Sequence, residues 1–140
     1  MKVKVKKLVP TAVIPTYAKD SDAGLDLTAT SFEIDEIGNF VYGTGLAFEI
    51  PAGFVGFLFP RSSNSKKDLL LSNSVGVVDA GYRGEVILKY KNISKDKVSS
   101  YSVGERCGQI IIMPYPSIEL EEAEELSTSE RGTGGFGSTN

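Results

Sequence analysis

Apolar residues in this chain come in short runs, and glycine or proline punctuates nearly every gap between them, as at Pro51-Ala52-Gly53 and Val103-Gly104-Glu105. A chain divided this way has little room for helices, whose apolar stripe needs about ten residues at a 3.6 period, but ample room for strands. The spacing predicts strands at 3–7, 25–28, 32–34, 40–42, 45–50, 53–59, 76–78, 84–92, 97–101 and 109–114. In the first, Val3 and Val5 alternate with lysines, the pattern of a guarded edge strand. Two stretches break the rhythm. Residues 63–71 suit one short helix after a turn, and 119–126 (ELEEAEEL) suits a helix or a solvated acidic strand or linker equally. Many short strands with regular turns imply an all-β double-sheet jelly roll or barrel.

Composition narrows the chemistry. At 140 residues and 41% hydrophobic content the chain is long enough for one self-sufficient core. No apolar run approaches the roughly 20 residues that cross a bilayer. The basic start, Met1-Lys2-Val3-Lys4-Val5-Lys6-Lys7, lacks the apolar stretch of a signal peptide, so a cytoplasmic location and no membrane partner are expected. The single cysteine, Cys107, cannot form an internal disulfide and reads as a small core residue. The chain has no histidine, which removes Ser-His-Asp and Cys-His chemistry and His-ligated zinc. General base work then falls to a carboxylate, and any metal is expected to be a hard cation such as Mg²⁺. A net charge of -3 argues against a nucleic-acid backbone as partner but leaves a free nucleotide open.

Five segments carry the remaining chemistry. Gly76-Val77-Val78-Asp79-Ala80-Gly81-Tyr82-Arg83-Gly84-Glu85 reads as a hairpin slot, its backbone able to meet the edge of a planar base. An ordinary aspartate-containing turn is the plainer reading of that segment alone. Pro60-Arg61-Ser62-Ser63 stops a strand and presents a guanidinium and hydroxyls to an anion. Ala23-Gly24-Leu25-Asp26 offers a strand-edge carboxylate, and Arg106-Cys107-Gly108-Gln109 places a polar side chain at the entrance of a very apolar strand. The last ten residues, from Arg131 to Asn140, hold four glycines with one arginine and one aromatic ring. Such a run builds no core, yet it suits wrapping an anionic, ring-bearing ligand.

Taken together and in this order, the five segments resemble those of the trimeric dUTPase family, over nearly the whole chain from Asp22 onward. The resemblance implies a distorted jelly-roll (β-clip) barrel, a homotrimer with a swapped C-terminal arm. Residues 1–126 would form the domain, and 127–140 a flexible arm closing a neighbouring subunit's active site. It implies Mg²⁺ dependence and hydrolysis of dUTP to dUMP and pyrophosphate, which supplies dUMP for dTTP synthesis and keeps uracil out of DNA. It also carries over roles. Asp79 would activate water for attack on the α-phosphorus, and Asp26 would contact Mg²⁺ through water. Arg61, Ser62, Ser63, Gln109 and Arg131 would bind phosphates or the attacking water. Asn73, with backbone near Val77, Val78 and Ile87, would read uracil, and Tyr82 would lie against deoxyribose. Phe136, Gly137 and Ser138 would cap the site. Ser63 departs from the glycine common in that family segment. Location would be the cytoplasm, or a host's cytoplasm for a phage protein.

Two rivals stand beside this reading. A dCTP deaminase shares the fold, but its catalytic glutamate falls on Lys89 here, and a lysine cannot shuttle that proton. A regulatory protein that keeps the nucleotide pocket as a switch is the other.

Overall fold

The computed structural model describes residues 1–94 and 99–137. Its strands are Lys4–Lys7 (β1), Leu25–Thr28 (β2), Ser31–Ile34 (β3), Phe40–Gly43 (β4), Leu46–Glu49 (β5), Phe54–Phe59 (β6), Leu69–Leu71 (β7), Gly76–Val78 (β8), Ile87–Asn92 (β9) and Arg106–Pro114 (β10). They form two four-stranded antiparallel sheets, β2-β10-β6-β8 and β3-β4-β9-β7, and a β1-β5 ribbon. The fold is all-β and jelly-roll-like, and its sheets stay open. Among the described residues no helix is long and apolar enough to cross a membrane.

Both sheets bury one face in a shared core. Leu27, Leu58, Val78 and Ile110 come from the first sheet, and Phe40, Tyr42, Leu69, Leu88 and Tyr90 from the second. Period-two alternation is plain in β9, where Leu88 and Tyr90 are buried while Ile87, Lys89 and Lys91 face outward. Core tyrosines keep their hydroxyls satisfied, as buried polar groups must. The Tyr90 hydroxyl donates to the Cys107 carbonyl at 2.6 Å, and Tyr42 Oη accepts the Tyr101 N–H at 2.9 Å. Tyr101 Oη donates to Asn64 Oδ1 at 2.8 Å, and Asn64 Nδ2 donates to the Leu69 carbonyl at 2.8 Å. That last pair anchors the turn following Arg61. Burial pushes the Cys107 thiol up to about 12, so it is an inert core residue, as its sequence context predicts.

Several local expectations shift. The helix expected in 63–71 is a 3-10 turn, Ser62–Lys66, followed by β7, because buried Asn64 spends its side chain on Tyr101 and Leu69 instead of letting the helix propagate. Of the alternatives for 119–126, the helix does not form: the segment is a solvated linker without regular structure, with Leu120 and Leu126 exposed. The strand expected at 84–92 begins at Ile87. Of the strand expected at 97–101, residues 97–98 lie outside the described residues and 99–101 are irregular. The expected hairpin at 76–85 is not a ladder: β8 pairs with β6, while β9 pairs with β4 and β7. The chain from Asp79 to Val86 crosses from one sheet to the other. A backbone bond from Val86 N–H to the Leu46 carbonyl at 2.8 Å and a side-chain bond from Thr44 Oγ1 to the Val86 carbonyl at 2.7 Å pin its far end.

Candidate active site

The predicted residues fall into two clusters and an arm. In the first cluster, β10 lies between β2 and β6, so Gln109 stands opposite both Asp26 and Phe59. Pro60 ends β6, and Arg61 turns back over the sheet. Arg61 Nε donates to Asp26 Oδ1 at 2.7 Å, and Arg106 Nη1 donates to Asp26 Oδ2 at 3.0 Å. Two guanidinium groups thus share one carboxylate; with Asp22 the formal charges of this cavity balance, while the adjoining cleft, where Arg61, Lys66, Lys67 and Arg106 face only Glu105, is net positive and favours an anion. Gln109 Nε2 donates to the Pro60 carbonyl at 2.9 Å, leaving its own oxygen beside Gly24, where a Cβ would run into it. Asp22, Gly24, Asp26, Arg61, Ser62 and Gln109 line a cavity of about 440 Å³. Ser63 accepts from Arg61 Nη1 at 3.3 Å but lines the neighbouring cleft with Lys66 and Lys67.

The second cluster is a slot of about 230 Å³, lined by Asn73, Val77, Val78, Asp79, Tyr82 and Ile87. β8 is the edge of its sheet, so alternate backbone groups of Gly76–Val78 point away from β6. The Val78 side chain is buried in the core, and Val77 is exposed on the slot side. Tyr82 N–H donates to the Asp79 carbonyl at 3.0 Å, and Tyr82 Oη donates to the Glu85 carbonyl at 3.0 Å, folding the ring over Gly84. The Asp79 carboxylate is exposed and meets no donor among the described residues. It is held out by the fold and left open for a ligand or water.

The clusters do not meet within one chain. Asp79 follows β8 at the position that continues onto Val55, whereas Gln109 lies opposite Phe59, two strands away. Four residues along a strand and two strand spacings give a separation of roughly 16 Å. Among the described residues, none of the arm lines either cavity. Arg131 Nε donates to its own Gly134 carbonyl at 2.9 Å, and Phe136 is fully exposed. Phe136 has φ 52°, Gly132 53° and Gly137 87°, so the described part of the arm makes left-handed turns, two of them at glycines that adopt this conformation freely. Ser138 lies outside the described residues.

Sequence reasoning missed Arg106 as a site residue, together with Asp22 and Glu85. Glu85 Oε1 accepts the Gly45 N–H at 2.7 Å, closing the slot's floor, and Arg106 gains its role only through the β10–β2 pairing. No local signal marks either partner.

The architecture matches solved dUTPases. A variant of the Staphylococcus bacteriophage 80alpha dUTPase with dUpNHpp superposes with a TM-score of 0.85 at 31% identity, over 98% of this chain and 97% of that one. A mutant of the dUTPase from phage phi11 of S. aureus, described with a structural Mg(II) ion, gives a TM-score of 0.76 at 26% identity, over 89% and 98% of the two chains. A deoxyuridine 5'-triphosphate nucleotidohydrolase of Hydrogenobaculum sp. (strain Y04AAS1) is 40% identical over 99% of this chain and 98% of its own. The dUTPase family model matches residues 11–140. The chain belongs to the dUTPase family, a family of enzymes.

Proposed function

We propose that this protein is a dUTP diphosphatase, acting as a homotrimer whose sites are completed between subunits. The observation that carries this reading is a pairing: a ring-sized slot with a free carboxylate at its mouth, and a separate cluster of two arginines that opens onto a net-positive cleft. A uracil ring fits the first and a triphosphate the second. The roughly 16 Å gap between Asp79 and Gln109 supports a site in which one subunit supplies the slot and another the anion cluster.

The residue roles follow from what each side chain can do. Edge backbone of Val77 and Val78, with Ile87 and Asn73, would match the pyrimidine, and Tyr82 would pack against the deoxyribose. Arg61, Ser62 and Ser63 would neutralise and hydrogen-bond the phosphate chain, and Gln109 would hold a phosphate oxygen or the attacking water. Asp79 would orient that water and accept its proton as the oxygen bonds to the α-phosphorus. The bond from that phosphorus to the bridging oxygen then breaks and pyrophosphate leaves. Residues 1–126 would act as the domain and 127–140 as the arm, with Arg131 on the outer phosphates and Phe136, Gly137 and Ser138 over the ring. An arm that orders on substrate excludes water from the reacting phosphate.

The donor set suits Mg²⁺ held chiefly by phosphate and water. Among the described residues no group of three or more acidic, Cys or His side chains gathers into a cage. Asp26 has both oxygens engaged by arginines and is suited to contact the ion through water. When bound, Mg²⁺ neutralises phosphate charge. The deaminase reading loses further ground, because Lys89 Nζ is engaged with Asp35 at 3.1 Å and stands away from proton transfer.

The test is pyrophosphate release from dUTP, dTTP, dCTP and UTP. Wild type is expected to cleave dUTP alone at a substantial rate, and Asp79→Asn to lose about 10³-fold in kcat while still binding. Mixing inactive Asp79→Asn with inactive Gln109→Ala subunits is expected to restore part of the activity. No restoration would overturn the shared site. Nucleotide binding without turnover would favour the regulatory reading.

A further inference from the structure

Asn73 lines the proposed pyrimidine slot, so how its turn is held would bear on the slot's selectivity. Asn73 sits in a tight turn between β7 and β8. Ser74 N–H donates to the Leu71 carbonyl at 3.0 Å and Val75 N–H to the Asn73 carbonyl at 2.6 Å. Ser74 has φ 63°, a left-handed conformation unfavourable for any residue but glycine. A turn of that kind persists only when its surroundings over-determine it.

The clamp comes from a different hairpin. Ser72 N–H donates to the Lys89 carbonyl at 2.8 Å, and Ser72 Oγ donates to Asn39 Oδ1 at 2.9 Å. Asn39 is 4% exposed, and its Nδ2 donates to Asp35 Oδ2 at 2.9 Å. Asp35 Oδ1 accepts the Asn39 N–H at 2.9 Å and the Ile37 N–H at 3.2 Å, and Lys89 Nζ reaches Asp35 Oδ2 at 3.1 Å. The charge on Asp35 fixes which way the Asn39 amide faces, since the flipped amide would set its oxygen against the carboxylate. With that orientation fixed, Asn39 presents an acceptor to Ser72. The Ser72 hydroxyl is then committed as a donor, one residue before Asn73.

We infer that Asn39 and Ser72 are positioning residues for pyrimidine selection, tying the β3–β4 turn to the turn that carries Asn73. The inference rests on the proposed role of the slot and extends it to residues that line no part of it. Neither side chain touches the base. Their bond sets the angle at which the Asn73 carboxamide meets it, and so the ability to tell uracil from cytosine.

The experiment compares kcat/KM for dUTP and dCTP in wild type, Ser72→Ala, Ser72→Thr, Asn39→Ala and Asn73→Ala. Loss of one neutral hydrogen bond is expected to lower the dUTP-to-dCTP ratio about 3- to 10-fold in Ser72→Ala and Asn39→Ala. The change should lie in the KM for dUTP, with kcat within about twofold. Ser72→Thr, which keeps the hydroxyl, should restore the ratio. A ratio unchanged in Ser72→Ala and Asn39→Ala, but lost in Asn73→Ala, would overturn the clamp alone. A ratio unchanged in Asn73→Ala would overturn the uracil reading of the slot instead.

Discussion

The anion cluster and the slot are built from opposite materials. In the cluster, side chains do the holding: Asp26 carries two arginines, and Gln109 is braced on the Pro60 carbonyl. In the slot, backbone does it: an edge strand, a sheet-to-sheet crossover and a tyrosine folded back on its own loop. The difference follows from the ligand parts each would meet. Phosphates are symmetric and charged, so a few fixed guanidinium groups suffice. A pyrimidine is flat, and its identity lies in a donor-acceptor pattern that main-chain groups at fixed spacing can match. Apart from Asp79, which stands at the slot's mouth and would take the water's proton, the cluster should therefore govern reaction rate, and the slot affinity and choice.

The arm tests whether the two regions need a common cover. Deleting residues 131–140 is expected to lower kcat/KM for dUTP about 10²-fold or more while the melting temperature holds, since no described residue of the arm lines either cavity. An undiminished kcat/KM would show that cluster and slot are sufficient alone.

Two glycines then separate the regions. Alanine at Gly24 would drive its Cβ into Gln109, and alanine at Gly84 would drive its Cβ into the Tyr82 ring. Gly24→Ala is expected to cut kcat about tenfold or more with little change in KM. Gly84→Ala should instead raise KM by a smaller factor, about threefold, and relax rejection of UTP. Steady-state kinetics on both variants decide the matter. If Gly84→Ala acts on kcat and Gly24→Ala on KM, the division of labour is wrong.

The smallest effect concerns acid stability at the clamp. Hydrogen bonds from Asn39, with Lys89 adding to them, lower the Asp35 carboxyl from 3.8 to about 2. A depressed carboxylate stabilises the fold above its unfolded value, and that stabilisation disappears as pH falls from about 4 toward 2. Urea midpoints across that window should fall more steeply for wild type than for Asp35→Asn. Parallel curves would mean Asp35 contributes nothing through its charge.

Much of this was legible before any coordinates. The strand segments around β4, β5, β6 and β10 follow from short apolar runs bounded by turn residues, and every one of the five chemical segments contributes to a cavity or to the arm. The resemblance rested on those segments. Other features were out of reach. That Gly76–Val78 and Ile87–Asn92 belong to different sheets cannot be read from their neighbours, since both runs are strand-like and neither marks its pairing partner. Asn64 looked like one residue of a helix because its partners, Tyr101 and Leu69, are chosen by the core.

By itself, the order of residues decided which pieces extend, where they turn and which side chains carry chemistry, because those properties depend on a few adjacent positions. Only the folded chain decided that Arg106 joins Arg61 on Asp26, that Asn39 braces Ser72, and that Asp79 stands apart from Gln109. Those relations link residues far apart in the chain, and strand pairing is what sets them.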